Sequence, residues 1–176
     1  MSHNRENFRL WYSRILEELY RDGNAGFAIL IIALPLLERY LREKSGVHEA
    51  VQLDTRFYSA LRQIFPALQD DVTATHFWHI YRNGLLHQVT LSQSRGRVSM
   101  PDAWVSSKVA AVTVDQNGDF WVHPAKLAKI VVDTIEADFT TFEGGSSISH
   151  PFPVVHAISD GTSSVPLINI PATGAP

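Results

Sequence analysis

The sequence predicts a mainly α fold, an up-and-down helical bundle with a small antiparallel β-hairpin inserted before the last helix. Three observations predict it. Apolar residues recur at three- and four-residue steps in successive stretches, an Asn-Gly pair sits between two β-rich runs, and the composition is 45% hydrophobic and 19% charged. A chain of 176 residues with that balance suits one ordinary core plus an appendage. Residues 1–143 are assigned to the helical domain and 144–176 to a Ser/Gly/Pro-rich C-terminal arm.

In the first helix Phe8, Trp11, Tyr12, Ile15, Leu16 and Leu19 form the apolar stripe, with Arg9, Arg14, Glu17 and Glu18 between them, and Asp22-Gly23-Asn24 ends it. A second helix, from about Ala25 to Lys44, is apolar nearly all round until Glu38, which places it at the centre of the bundle. A third runs from Asp54 to Phe65, with Asp54 or Thr55 as N-cap, Phe57, Leu61 and Ile64 inward, and Pro66 limiting it. Asp70-Asp71 opens a fourth that continues through Val89, with Ala74, Phe77, Trp78, Tyr81, Leu85 and Val89 inward and His76, His79, Asn83 and His87 on the other side.

Ser92 to Lys108 is polar and turn-rich and is expected to be an exposed loop. Val109–Val114 and Phe120–His123 then flank Gln116-Asn117-Gly118-Asp119 as a hairpin over about 109–123. Pro124 opens the last helix, whose Leu127, Ile130, Val131, Ile135, Phe139 and Phe142 keep helical spacing until Gly144-Gly145.

Composition excludes several function classes. With no cysteine there are no disulfides, thiolate metal sites or cysteine nucleophile, which fits a reducing, cytoplasmic setting. The polar start reads as no export signal, and the apolar run Gly26 to Leu37 falls short of the ~20 residues a membrane-crossing helix needs. A net charge of −3 gives no general basic field, so any contact with RNA or a nucleotide must use a local basic site. Glycine-rich phosphate loops, His-Glu-x-x-His and nucleophile elbows do not occur.

The most informative stretch is Tyr81-Arg82-Asn83-Gly84-Leu85-Leu86-His87-Gln88. It joins a permanent cation, a polar residue and an imidazole that titrates near neutrality. In its helical context, Arg82, four residues and then His87 resembles the motif of the HEPN family of all-helical domains, in which the residue after the arginine is commonly polar, as Asn83 is. The likeness covers roughly Phe8 to Phe142 in helical layout, with the hairpin and the arm as additions.

The resemblance implies a homodimer whose two motifs face each other. In active members it implies metal-independent RNA cleavage through attack of the ribose 2′-hydroxyl on the adjacent phosphorus, and in family terms a toxin or phage-defence role. His87 would exchange the proton, Arg82 would pair with the phosphate, and Asn83 would orient one of them. Arg95 and Arg97, with His79, are the candidate substrate contacts.

On a regular helix Arg82 and His87 are about 140° apart, so they converge by a reaching arginine, a turn loosened at Gly84, or a second subunit. No cofactor or metal is expected: His79 and His87 would lie about 12 Å apart along a helix axis, and His76 and His79 lack a third ligand. Two other readings stand beside this one. Arg82 pairs with Glu38 or another carboxylate for structural reasons, or the chain is a non-catalytic dimeric module that binds a nucleotide or protein partner. Trp104 and Trp121 are read as packing residues and Tyr81 as a core residue with a polar end.

Overall fold

The protein is described by a computed structural model covering residues 3–47, 52–85 and 101–144. Its first helical segment runs through α1 (His3–Phe8), a wider π-helical turn π1 (Arg9–Ser13) and α2 (Arg14–Leu19). The central helix α3 (Gly26–Ser45) ends at Gly46, whose φ of 65° is the left-handed conformation that glycine adopts without steric penalty. Ile29, Leu30, Ala33, Leu34, Leu37 and Leu41 of α3 are buried, as its composition requires, but Phe27 and Ile31 stay exposed one turn apart. The helix is therefore central over most of its circumference and open along one stripe.

Helix α4 (Thr55–Ile64) starts where Asp54 accepts the amides of Arg56 and Phe57, and α5 (Asp71–Trp78) starts where Asp70 accepts that of Thr73. Both caps satisfy amides that the first helical turn leaves without partners. A second π-helical turn, π2 (His79–Gly84), follows α5 directly. The final helix is divided: α6 (Pro124–Ala137) and α7 (Phe139–Glu143) meet at Asp138, which has left helical geometry at φ −128° and ψ 50°. Its carboxylate takes Lys44 Nζ at 2.8 Å, Thr141 Oγ1 at 2.8 Å and the Tyr40 hydroxyl at 3.1 Å. These contacts explain why the single helix expected from spacing is broken here.

The hairpin is present with strands shorter than the expected runs 109–114 and 120–123, and it belongs to a three-stranded sheet. Strands β2 (Val112–Val114) and β3 (Phe120–Val122) pair antiparallel around a turn in which Gly118 has φ 85° and Asp115 Oδ1 accepts the amides of Asn117 and Asp119. A third strand, β1 (Ala103–Val105), lies parallel to β3, giving the order β1-β3-β2. Within the segment expected to be an exposed loop, residues 103–105 are thus sheet. Phe120 and Val122 face the core, while Trp104 and Trp121, paired in register, stack on the outer side at 5.6 Å. Trp104 is 48% exposed, so it is only partly a packing residue.

Tyr81 links sheet and helix. Its ring is fully buried, and its hydroxyl donates to the Trp104 carbonyl at 2.8 Å, lies 3.2 Å from the Phe120 carbonyl and accepts the Trp104 amide at 3.2 Å. Phe77 adds ring contacts to Tyr81 at 5.0 Å and to Phe120 at 5.9 Å. The inner side of the α5–π2 segment is therefore held by apolar packing and hydrogen bonds, and its outer residues are presented from a fixed base. No helix among the described residues is long and apolar enough to cross a membrane.

Candidate functional site

The outer residues of π2 make one hydrogen-bonded chain with α3. Glu38 stands two turns before the end of α3, and its carboxylate accepts from two arginines: Arg42 Nε at 3.0 Å on Oε1 and Arg82 Nε at 2.6 Å on Oε2. Arg42 is the i+4 neighbour of Glu38, a spacing that places both on one helix face. Arg82 also donates from Nη1 to Asn83 Oδ1 at 3.1 Å, and Asn83 Nδ2 lies 3.1 Å from His79 Nδ1. Because the guanidinium can only donate, it claims the amide oxygen and turns the amide nitrogen toward the imidazole. A neutral His79 then accepts on Nδ1 and carries its hydrogen on Nε2.

Two guanidinium groups thus share one carboxylate. Exposure is uneven: the Glu38 side chain is 12% exposed and that of Arg82 25%. The carboxylate forms the inner wall, and the arginine reaches from it toward the surface. An arginine so held is oriented by its acid on one edge, the support that a phosphate-recognising cation needs.

The structure thus brings Arg82, Asn83 and His79 together, with Glu38 and Arg42 behind them. The link to Glu38 was one of the pairings open from sequence; the contribution of Arg42 was missed, although Glu38-x-x-x-Arg42 spacing signals it. His87, Arg95 and Arg97 lie outside the described residues. Helix geometry at the motif differs from the regular 100° step, because π2 spreads its turn over more residues per revolution, and Gly84 is its last member. Among the described residues, no group of three or more His, Cys, Asp or Glu side chains is placed to hold a metal ion.

In comparisons with known proteins, no family model, curated protein or solved structure matches this chain.

Proposed function

We propose that this chain is a HEPN-like protein that acts on RNA through the surface around Arg82, Asn83 and His87, and that its activity is metal-independent endonucleolytic cleavage by a homodimer. The observation that carries the reading is the hydrogen-bonded series Glu38–Arg82–Asn83–His79, in which a partly exposed arginine is held beside an imidazole.

In this reading His87 takes the proton of the ribose 2′-hydroxyl as O2′ bonds to phosphorus. The P–O5′ bond breaks, leaving a 2′,3′-cyclic phosphate, and the departing O5′ receives a proton from the imidazole of a second copy. Arg82 neutralises charge on the phosphate oxygens as it builds, and Glu38 and Asn83 hold the guanidinium in place. One imidazole cannot act as base and acid at the same instant, so a two-fold arrangement suits the chemistry.

The test is cleavage of single-stranded RNA in excess EDTA by wild type, His87→Ala and Arg82→Ala, with folding followed by circular dichroism and mass by light scattering. Cleavage that survives chelation, ends in a cyclic phosphate and vanishes in a folded His87→Ala dimer supports the reading. No cleavage by wild type, or full cleavage by the variant, overturns it. A second reading, a non-catalytic module for a nucleotide or protein partner, is favoured by the tight hold of Glu38 on Arg82. Such a module keeps its binding in His87→Ala and cleaves nothing.

A further inference from the structure

Away from the Arg82 site, the C-terminal turn of α3, the outer face of α4 and the first residue of α5 enclose an open cleft of about 500 Å³. Among the described residues, three cations line it, Lys44 from α3 and Arg56 and Arg62 from α4, together with the hydroxyl residues Ser45, Thr55 and Ser59 and one acid, Asp71. We propose that this cleft binds a phosphate group.

Each cation is held by a carboxylate on one edge. Lys44 donates to Asp138 at 2.8 Å, Arg56 to Asp54 through Nε and Nη2 at 3.0 and 2.7 Å, and Arg62 to Asp71 through Nη1 at 2.9 Å. Of the three acids, Asp138 and Asp54 do not line the cleft, but each lies within 2.8 Å of its cation, so the three ion pairs balance and an anion is attracted by the donors they leave unused rather than by surplus charge. The pairings also use only part of each cation's donors: Nη1 of Arg56 lies outside its bond to Asp54, and the ammonium of Lys44, which also meets the Tyr40 hydroxyl, has one hydrogen beyond those two contacts.

The second observation is an orphan. Arg62 Nε is buried, in a side chain that is 37% exposed, and has no hydrogen-bond partner among the described residues, which is unusual for a charged donor and costs free energy unless a shift of the side chain lets something accept from it. A tetrahedral anion with several acceptor oxygens can meet forked guanidinium, ammonium and hydroxyl donors together, whereas a carboxylate offers fewer. The α4 amides do not contribute, because Asp54 already occupies those of Arg56 and Phe57. Recognition therefore rests on side chains, and it does not depend on the Arg82 site being catalytic.

The phosphate has two sources, an RNA backbone and a small free phosphate, and the experiment separates them. Full-length protein labelled with nitrogen-15 is titrated with inorganic pyrophosphate while the Arg56 and Arg62 Nε–Hε resonances are followed. A fluorescein-labelled, 2′-O-methylated oligoribonucleotide, which has no free nucleophile and stays intact, is titrated in parallel by anisotropy across salt concentrations. Lys44→Gln and Arg56→Gln are compared with Arg21→Gln, which removes an equally formal charge from an exposed site elsewhere.

Saturable movement of the Arg62 resonance with pyrophosphate, weakened at least tenfold by Lys44→Gln or Arg56→Gln but not by Arg21→Gln, supports a small-phosphate site. Weaker oligonucleotide binding in the same two variants, with a salt slope shallower by ~0.7 per lost contact, assigns the phosphate to an RNA backbone. An unmoved Arg62 resonance together with oligonucleotide affinity unchanged from wild type overturns the proposal. If RNA does not bind but pyrophosphate does, the cleft stands and the RNA reading of the protein falls.

Discussion

Arg82 donates to Glu38 across 2.6 Å, and the same carboxylate holds Arg42 at 3.0 Å, so one acid on α3 sets the position of two guanidinium groups. The arrangement couples stability to presentation. Glu38 is mostly enclosed, and removing its charge leaves two cations facing a neutral amide, whereas removing Arg82 leaves an acid that Arg42 still satisfies.

Glu38→Gln is therefore expected to destabilise the fold more than Arg82→Gln. The expected cost is about 1–3 kcal/mol of unfolding free energy, below the fully buried case because Arg82 keeps some contact with water. Urea unfolding of the two single variants and the double variant measures it. A coupling energy above ~0.5 kcal/mol confirms the interaction, and strictly additive effects would show that the contact contributes nothing.

Tyr81→Phe removes the hydroxyl that meets both the amide and the carbonyl of Trp104. A buried pair of backbone groups left without that partner is expected to cost about 1–3 kcal/mol. The effect should be local first: the Trp104 amide should exchange its hydrogen faster, while amides near the Asp54 and Asp70 caps keep wild-type protection. Uniform acceleration at every amide would instead indicate global loss and contradict a tethering role for this hydroxyl.

Tyr81 and the caps also show what a single sequence discloses. Asp54 and Asp70 were legible because a cap acts over two or three residues, and the Asn117-Gly118 turn because it needs a left-handed residue at one position. Tyr81 was legible as a core residue with a polar end, but the receiver of its hydroxyl was not. Strand β1 has only three residues, and its partner Phe120–Val122 lies parallel and 17 positions on, a pairing that no local alternation encodes. The π-helical turns likewise leave no periodic mark, so reading π2 at 100° per residue misjudges which side chains share a face. At the site, the Arg82–Glu38 pairing was open to inference because both charges interrupt apolar helices; the cations of the cleft, spread from Lys44 to Arg62, make no motif at all.

Alkaline pH should weaken the fold through its tyrosines. Burial, aided by the charges of Asp133 and Glu17, raises the Tyr20 phenol to about 12, and burial pushes Tyr81 above its ordinary value as well. In the unfolded chain both phenols ionise near ~10. Below that pH the two states bind equal numbers of protons; above it the unfolded chain loses protons first, so stability falls as pH rises from about 10 toward 12. Unfolding midpoints across this range should drop less steeply in Tyr20→Phe than in wild type. Parallel slopes would mean that Tyr20 titrates alike in both states.

The sharpest separation of catalysis from structure comes from Arg82→Lys. Lysine keeps the charge and can still reach Glu38, but a point-like ammonium lacks the planar fork that meets Glu38 through Nε and Asn83 through Nη1 at once. If Arg82 serves only to neutralise Glu38, the variant should stay folded and any RNA cleavage should follow the folded fraction. If the guanidinium meets the phosphate in the transition state, single-turnover cleavage at saturating enzyme should fall by ~10²-fold, the scale for losing one oriented donor, while the unfolding midpoint barely moves. A folded Arg82→Lys protein that cleaves at the wild-type rate would remove Arg82 from the chemistry and leave its bond to Glu38 as a structural contact.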